Sequence, residues 1–393
     1  MSFALKPRIM TVYGTRPEAI KVAPVIKALD ADERFVSIPV STGQHKEMLD
    51  QVNSMFGIVP THNLALMHED QPLNSLLGRA LTGLDEIIER EQPHVIIAQG
   101  DTTSALSAAM AGFNRGVYVV HLEAGLRTGN LAAPFPEEGN RRMISAITSL
   151  HLAPTESSME NLRKEDIRSR DIVVTGNTVI DALVEAASWN TPISDPNVQA
   201  AIDSGKRIVL VTTHRRENIE NMRDIGEAIK DLAWAFPDVY FVIPLHVNPL
   251  VREKITPFVS NMSNVVITSP MGYDEFTTLL NHSYLVLTDS GGIQEEAPAL
   301  GKPVLVMREG TERPEAVLAG TVKLVGTARR HIVAQTSTLL NDPVMHHAMA
   351  NAVNPYGDGR AAARTIAAIA QLTGVGTRLP DFDPMMADPA YER

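Results

Sequence analysis

The stretch RIMTVYGTRPEAIK, residues 8–21, passes from a β-branched, apolar run through a glycine turn into a segment that opens on proline. It reads as a strand feeding a helix, with Pro17 at a first helical position, where a missing N–H costs nothing. Similar apolar runs recur between helix-length segments: FVSIPV from 35, HVIIAQ from 94, VYVVHL from 117 and IVVTGN from 172. A second series follows, with RIVLVTT from 207, VYFVIP from 239, VVITSP from 265, YLVLTD from 284 and PVLVMR from 303. Short uninterrupted apolar runs are strands covered on both faces, which means parallel strands with helices packed on either side. Two such series predict an α/β chain of two Rossmann-like, doubly wound domains facing each other. Sheets of this kind bind ligands at the carboxyl ends of their strands, so the active site is expected in the interdomain cleft.

A chain of 393 residues is too long for one ordinary core, which agrees with two domains. The segment TGNTVIDALVEAASWNTPISDP, 175–196, runs from a strand through a helix into a Pro- and Ser-containing loop, and the division is placed there: 1–178 for the first domain and 179–359 for the second. The Ala-rich stretch GRAAARTIAAIAQLTG predicts a helix over about 360–376 that packs back on the first domain, leaving 377–393 as a mobile tail.

Lys and Arg number 35 against 46 Asp and Glu, a formal charge of −11 that repels polyanions, so nucleic acid is not an expected partner. Without cysteine there is no disulfide, thiol nucleophile or thiolate metal site, and a reducing, cytoplasmic setting fits. The start MSFALKPRIM has no signal-peptide apolar stretch, and no run of about 18 uncharged apolar residues occurs later, so no membrane span is expected.

Candidate chemistry lies where the strands end. Arg16 and Lys21 flank the helix start in GTRPEAIK, a combination that suits a diphosphate, although a plain capped helix with solvated cations has the same sequence. QGDTTSA delivers Asp101, HLEAGLRTG delivers Glu123, and FPEEGNRR places Glu137 and Glu138 ahead of Arg141 at a helix start. One carboxylate there could merely cap a helix; several at adjacent strand ends crowd their charges and separate acid from base roles. In the second series VLVTTHRREN brings His214 and Arg215 to a strand end, and PLHVNP does the same for His246, as a pocket or a structural residue. LTDSGGIQEEAPALGKP, 287–303, is the strongest phosphate signal: Ser290, Gly291 and Gly292 allow close backbone approach at a helix N-terminus, and a glutamate one turn in can hold ribose hydroxyls. Its companion TERPEA adds Arg313.

Three attractive matches are refused. GDGRAA, 357–362, fits the dinucleotide pattern but follows no strand, and is read as a helix start. Asp30 and Asp32 read as a solvated helix terminus, and His346 and His347 are adjacent, so on a helix they share no face. No HExxH, Walker A or GxSxG segment is present.

GTRPEAIK, TGQHKEMLD, QGDTT, HLEAGLRTG, FPEEGNRR, THRREN, DSGGIQEEAP, TERPEA and NPYGDG occur in this order over nearly the whole chain. Together they resemble the non-hydrolysing UDP-N-acetylglucosamine 2-epimerases. The resemblance implies the glycosyltransferase-B architecture, a homodimer, and reversible conversion of UDP-N-acetylglucosamine to UDP-N-acetylmannosamine with neither metal nor nicotinamide. Its route is elimination of UDP to 2-acetamidoglucal, then re-addition. On it Asp101, Glu123 and Glu137 match the acid and base carboxylates. His214, Arg16, Lys21, Ser290 and Gly291 match diphosphate contacts, with Gly292 beside them, and Glu296, Arg313, Arg141 and Phe276, next to uracil, complete the substrate set.

The resemblance also implies a second UDP-N-acetylglucosamine bound as activator, here by Gln44, Glu47, Asp70, Arg215 and His246. Glu47 and Asp70 put acid where the family often has Gln and Arg, and negative charge beside a diphosphate is unfavourable, so activation is expected to be altered or absent. Two other functions fit part of the pattern. A hydrolysing 2-epimerase would release N-acetylmannosamine and UDP, and a silent UDP-sugar sensor would need the phosphate site alone.

Overall fold

The structure, a computed structural model, describes residues 6–386 apart from 44–45, 67–70 and 246–248, and the side chains of these except 46–48, 216–217 and 249–250. Two compact units emerge, one formed by Met1–Ala182 with Tyr356–Arg393 and the other by Leu183–Pro355.

The first unit holds strands β1 (Arg8–Tyr13), β2 (Val36–Ser41), β3 (His62–Asn63), β4 (Val95–Gln99), β5 (Tyr118–Leu122), β6 (Leu150–Ala153) and β7 (Ile172–Val174). They form one parallel sheet in the order β3-β2-β1-β4-β5-β6-β7. The second holds β8 (Arg207–Thr212), β9 (Val239–Pro244), β10 (Val265–Thr268), β11 (Leu285–Thr288), β12 (Val304–Val306) and β13 (Val322–Leu324), parallel in the order β10-β9-β8-β11-β12-β13. Both sheets are doubly wound. β4 is buried along its whole length, as are β6, β7 and β11, because helices cover both faces of each sheet. Met10, Val12, Ile96 and Ala98 meet Ala105, Ala108 and Ile144 in the first core; Val209, Phe241 and Leu287 meet Ile225, Ile229 and Ile332 in the second.

In each sheet the winding reverses at the centre, between β1 and β4 and between β8 and β11. There the two following connections leave toward opposite faces, which opens a crevice at the strand ends. Gly14, just past β1, sits in such a close approach: a Cβ on it would come within 2.1 Å of Thr42 Oγ1 and 2.3 Å of Ser104 Oγ. Only glycine fits there.

The helix Thr178–Ser188 carries the chain out of the first unit, and the returning helix Ala361–Leu372 packs on the helix Arg16–Asp30. Outgoing and returning segments are fastened together. Asn177 donates its N–H to Tyr356 O at 2.7 Å, and the Asp181 carboxylate accepts the N–H groups of Ala361 and Ala362 at 3.1 and 2.9 Å, which satisfies the first turn of the returning helix. Arg364 holds Asp358 by two bonds of 2.7 Å. The segment expected to be a mobile tail is docked at Phe382, which is buried and donates its N–H to Val174 O on the edge strand β7 at 2.7 Å. Among the described residues no helix is long and apolar enough to cross a membrane.

Burial, with Asp358 adding to it, raises the Asp181 carboxyl to about 6 against the pull of the two N–H donors. Below pH ~4 the group is protonated in both the folded and the unfolded chain. Between there and about 6 the unfolded chain ionises first, so stability falls as pH rises; above about 6 both are ionised and the penalty is constant. Urea unfolding of wild type and Asp181→Asn should therefore show wild type losing up to ~3 kcal/mol relative to the variant between pH 4 and 7. A pH-independent difference would mean that Asp181 is an ordinary acid.

Candidate functional site

In the first unit the candidate side chains gather at the ends of β1, β4 and β5. Gln99 and Leu122 are register partners, so Asp101 and Glu123, just beyond them, leave neighbouring strand ends. Glu123 takes a positive φ of 68°, rare for a residue with a side chain, and its carboxylate is held by three elements. Lys21 Nζ lies 2.6 and 2.7 Å from its two oxygens, Gln99 Nε2 donates at 2.5 Å, and Asn177 Nδ2 at 3.4 Å. Lys21 is thus the counter-ion of Glu123.

Asp101 is fixed from the helix Glu137–Ile147. Arg141 reaches its Oδ2 with Nε at 2.9 Å and Nη2 at 2.7 Å, and Asn140 Nδ2 donates to its backbone carbonyl at 2.8 Å. These contacts bring Glu137, one turn before Arg141, to the same edge. Glu137 Oε2 is buried and, among the described residues, has no hydrogen-bond partner. Its neighbour Glu138 is fully buried and folds the preceding loop back by accepting from Thr128 and Gly129 N–H at 3.0 and 3.2 Å and from Arg141 at 3.2 Å. Burial pushes the Glu138 carboxyl up, but those amides and Arg141 outweigh it and leave it below the ordinary range.

Two buried groups complete the frame. Burial lowers the His121 imidazole to about 4, so the ring is neutral with one N–H. That proton sits on Nε2, 2.7 Å from Gly100 O, where it can donate to the carbonyl ahead of Asp101. Glu18 spans two turns: one oxygen accepts from Gly14 and Thr15 N–H at 2.8 and 2.7 Å, and the other from the Thr102 hydroxyl. The helix Arg16–Asp30 is therefore capped by its own side chains, and Arg16, exposed and without an ion pair among the described residues, is the group left open to an anion.

The second unit is built differently. Ser290 precedes the helix Gly291–Ala299, whose first turn has no side-chain cap. Two guanidinium groups stand over it: a Cβ on Gly291 would be 3.3 Å from Arg215 Nη2 and 3.8 Å from Arg313 Cζ. Arg313 pairs with Glu295, and Glu312, within 3.9 Å of Arg215 and 3.8 Å of Arg313, also pairs with Arg308 at 3.3 Å. Uncapped amides, small residues and two cations together form an arrangement whose chemistry suits an anionic group. Burial, with the charge of Glu296 adding to it, pushes the Tyr273 phenol well up, and the same helix, Tyr273–His282, carries the half-buried Phe276.

His214 and Arg215 are placed by Asp289, which opens the DSGGIQEEAP segment but is given no role of its own there. Fully buried, Asp289 accepts from His214 N and Arg215 N at 3.1 and 3.0 Å, from Thr213 Oγ1 at 2.9 Å and from Asn218 Nδ2 at 3.1 Å. His214 Nδ1 is 3.4 Å from Asp289 Oδ1, the oxygen that also accepts the His214 N–H. Of the predicted activator residues, Gln44, Asp70 and His246 lie outside the described residues, as does the side chain of Glu47; Arg215 stands over Gly291.

The family described as UDP-N-acetylglucosamine 2-epimerase matches residues 27–370. The chain belongs to the UDP-N-acetylglucosamine 2-epimerase family. A Yersinia pestis UDP-N-acetylglucosamine 2-epimerase is 48% identical over 368 residues, 92% of this chain and 98% of the relative. A crystal structure from Listeria monocytogenes matches with a TM-score of 0.91 at 40% identity, covering 96% of this chain and all of that one. The Neisseria meningitidis UDP-GlcNAc 2-epimerase, solved bound to UDP-GlcNAc, matches with a TM-score of 0.81 at 43% identity over 93% of this chain and 100% of that one. The two parallel, doubly wound sheets accord with the glycosyltransferase-B architecture of this epimerase family.

Asp289→Ala removes the acceptor of four donors at once. It should cost about 3 kcal/mol or more in urea unfolding, because buried donors left unpaired lose their full desolvation energy. A loss under about 1 kcal/mol would show that the 213–215 turn holds itself.

Proposed function

We propose that this chain interconverts UDP-N-acetylglucosamine and UDP-N-acetylmannosamine without releasing free sugar. The observation that carries the reading is the gathering of Asp101, Glu123 and Glu137 at one strand-end edge in three different surroundings: one held by Arg141, one by Lys21, one with an oxygen that has no partner among the described residues. The hydrogen at C2 is not flanked by a carbonyl, so its removal with UDP retained would be prohibitively slow. Elimination resolves this. A carboxylate takes the C2 proton, the C–H electron pair forms the C1–C2 double bond of 2-acetamidoglucal, and the C1–O pair departs with UDP. In the return step UDP oxygen bonds to C1 and a carboxylic acid gives a proton to the opposite face of C2. Acid and base on two faces are needed, which is the work assigned to the three carboxylates.

Ser290, Gly291 and Gly292 with the uncapped helix, Arg313 and His214 are assigned to the diphosphate, whose growing charge they would stabilise as the C1–O bond breaks. Glu296 is assigned to ribose and Phe276 to uracil; Arg16, Lys21 and Arg141 complete the substrate contacts. A cytoplasmic homodimer belongs to the same reading, as does an activator site at Gln44, Glu47, Asp70, Arg215 and His246 that its two acids weaken.

Proton NMR of the protein with UDP-N-acetylglucosamine in deuterium oxide should show UDP-N-acetylmannosamine appearing with deuterium at C2. Free N-acetylmannosamine and UDP would instead establish a hydrolysing enzyme, and an unchanged spectrum would sink the assignment. Initial rates should follow a hyperbola in UDP-N-acetylglucosamine; sigmoidal rates at low substrate would show that the activator site works despite Glu47 and Asp70.

A further inference from the structure

We propose that Glu18 is a positioning residue for Asp101, coupling the turn after β1 to the turn after β4. The inference rests on the assignment of Asp101 to the acid–base set. A capping box asks one thing of its glutamate, to accept the N–H of the N-cap residue. Glu18 does this for Thr15 at 2.7 Å, yet also accepts Gly14 N–H at 2.8 Å and sends its second oxygen to the hydroxyl of Thr102, 84 residues away. None of these donors is charged, and Glu18 is only 3% exposed. Burying an ionisable carboxyl without a cation is expensive, and burial accordingly pushes its acidity down against Thr102, Gly14 and Thr15. A helix cap alone would not require that expense, because a solvent-exposed side chain caps as well.

What the buried carboxyl adds is a relay. The Thr102 hydroxyl accepts from Ala105 N at 3.2 Å, capping the helix Thr103–Asn114, and spends its single proton on Glu18. Both sides of Asp101 are thereby fixed: Gly100 O faces His121 Nε2 at 2.7 Å, and Thr102 is tied to Glu18. With the Asp101 carbonyl held by Asn140 at 2.8 Å, each of the three residues in this turn is anchored to a different element. Rigid support from packed elements is what keeps a catalytic group within a fraction of an ångström of its working position.

The test is a double-mutant cycle on epimerisation. Glu18→Ala should lower kcat about tenfold or more with KM changed less than about threefold, since the contact acts on a reacting group rather than on ground-state binding. Thr102→Ser, which keeps the hydroxyl, should retain at least about half of wild-type kcat, and Glu18→Ala should slow Asp101→Asn by less than about threefold, because residues that act through one another are not additive. A Glu18→Ala kcat within about threefold of wild type, or losses that multiply in the double variant, would make Glu18 a cap and nothing more. Should Glu18→Ala not fold, Thr102→Val cuts the link from the other end and is read in the same way. If wild type does not epimerise, the functional assignment fails while the coupling is still read directly: the 13C resonance of the Asp101 carboxyl, assigned with Asp101→Asn, should move from its wild-type position in Glu18→Ala at neutral pH. An unmoved resonance overturns the coupling.

Discussion

A carboxylate at least partly buried that takes two N–H groups of a turn or helix start recurs at four points of this chain. Glu18 takes Gly14 and Thr15, Glu138 takes Thr128 and Gly129, Asp289 takes His214 and Arg215, and Asp181 takes Ala361 and Ala362. The reason is general. A parallel sheet satisfies its own backbone groups only as far as the last rung, and the turns beyond it carry donors that burial would leave unpaired. A carboxylate accepts two to four of them through charge-assisted bonds stronger than those of a neutral side chain. Each of these four acids lies within two residues of, or directly holds, a turn or crossing that the fold needs.

The acids at the strand ends therefore divide into those turned inward on backbone and those turned toward other side chains. Glu137 and Glu138 are neighbours with opposite fates: Glu138 is consumed by Thr128, Gly129 and Arg141, while one oxygen of Glu137 has no hydrogen-bond partner among the described residues. Asp101 and Glu123 belong with Glu137, meeting cations and amides of side chains instead of turns. An acid already satisfied by backbone has nothing to gain from a substrate proton; one held by a single cation or by none can exchange it.

The strands that the sequence showed plainly are those written mainly in apolar and β-branched residues, whether fully buried like β4 or only partly buried like β10. Every apolar run that marked a strand falls on β1, β2, β4, β5, β7 or β8 to β12, whereas β3, two residues long, β6, four residues with a central histidine, and β13, with Lys323 in the middle, carried too little pattern to stand out. The residues of the candidate site were visible as motifs, but which acid does what was not, because GTRPE, PEE and DSGG write supporting and reacting carboxylates in the same letters. One signal was available: Thr15 followed three residues later by Glu18 is a capping-box pattern, and that spacing by itself marks Glu18 as an acceptor of backbone amides. Asp289 had no comparable mark, since its partners come from a strand end 74 and 75 residues earlier in the chain.

The two helix starts that looked alike as anion sites differ for the same physical reason. At the first, Glu18 already takes the amides of Gly14 and Thr15, so an external anion finds those amides filled and meets only the side chain of Arg16. At the second, Ser290 makes no cap bond, glycine at 291 and 292 keeps the approach clear, and Arg215 and Arg313 add cations above it. A helix terminus binds an external anion only when the chain has left it without one of its own, and between these two the sequence difference is a glutamate three residues past the N-cap in one and Ile293 at the corresponding place in the other.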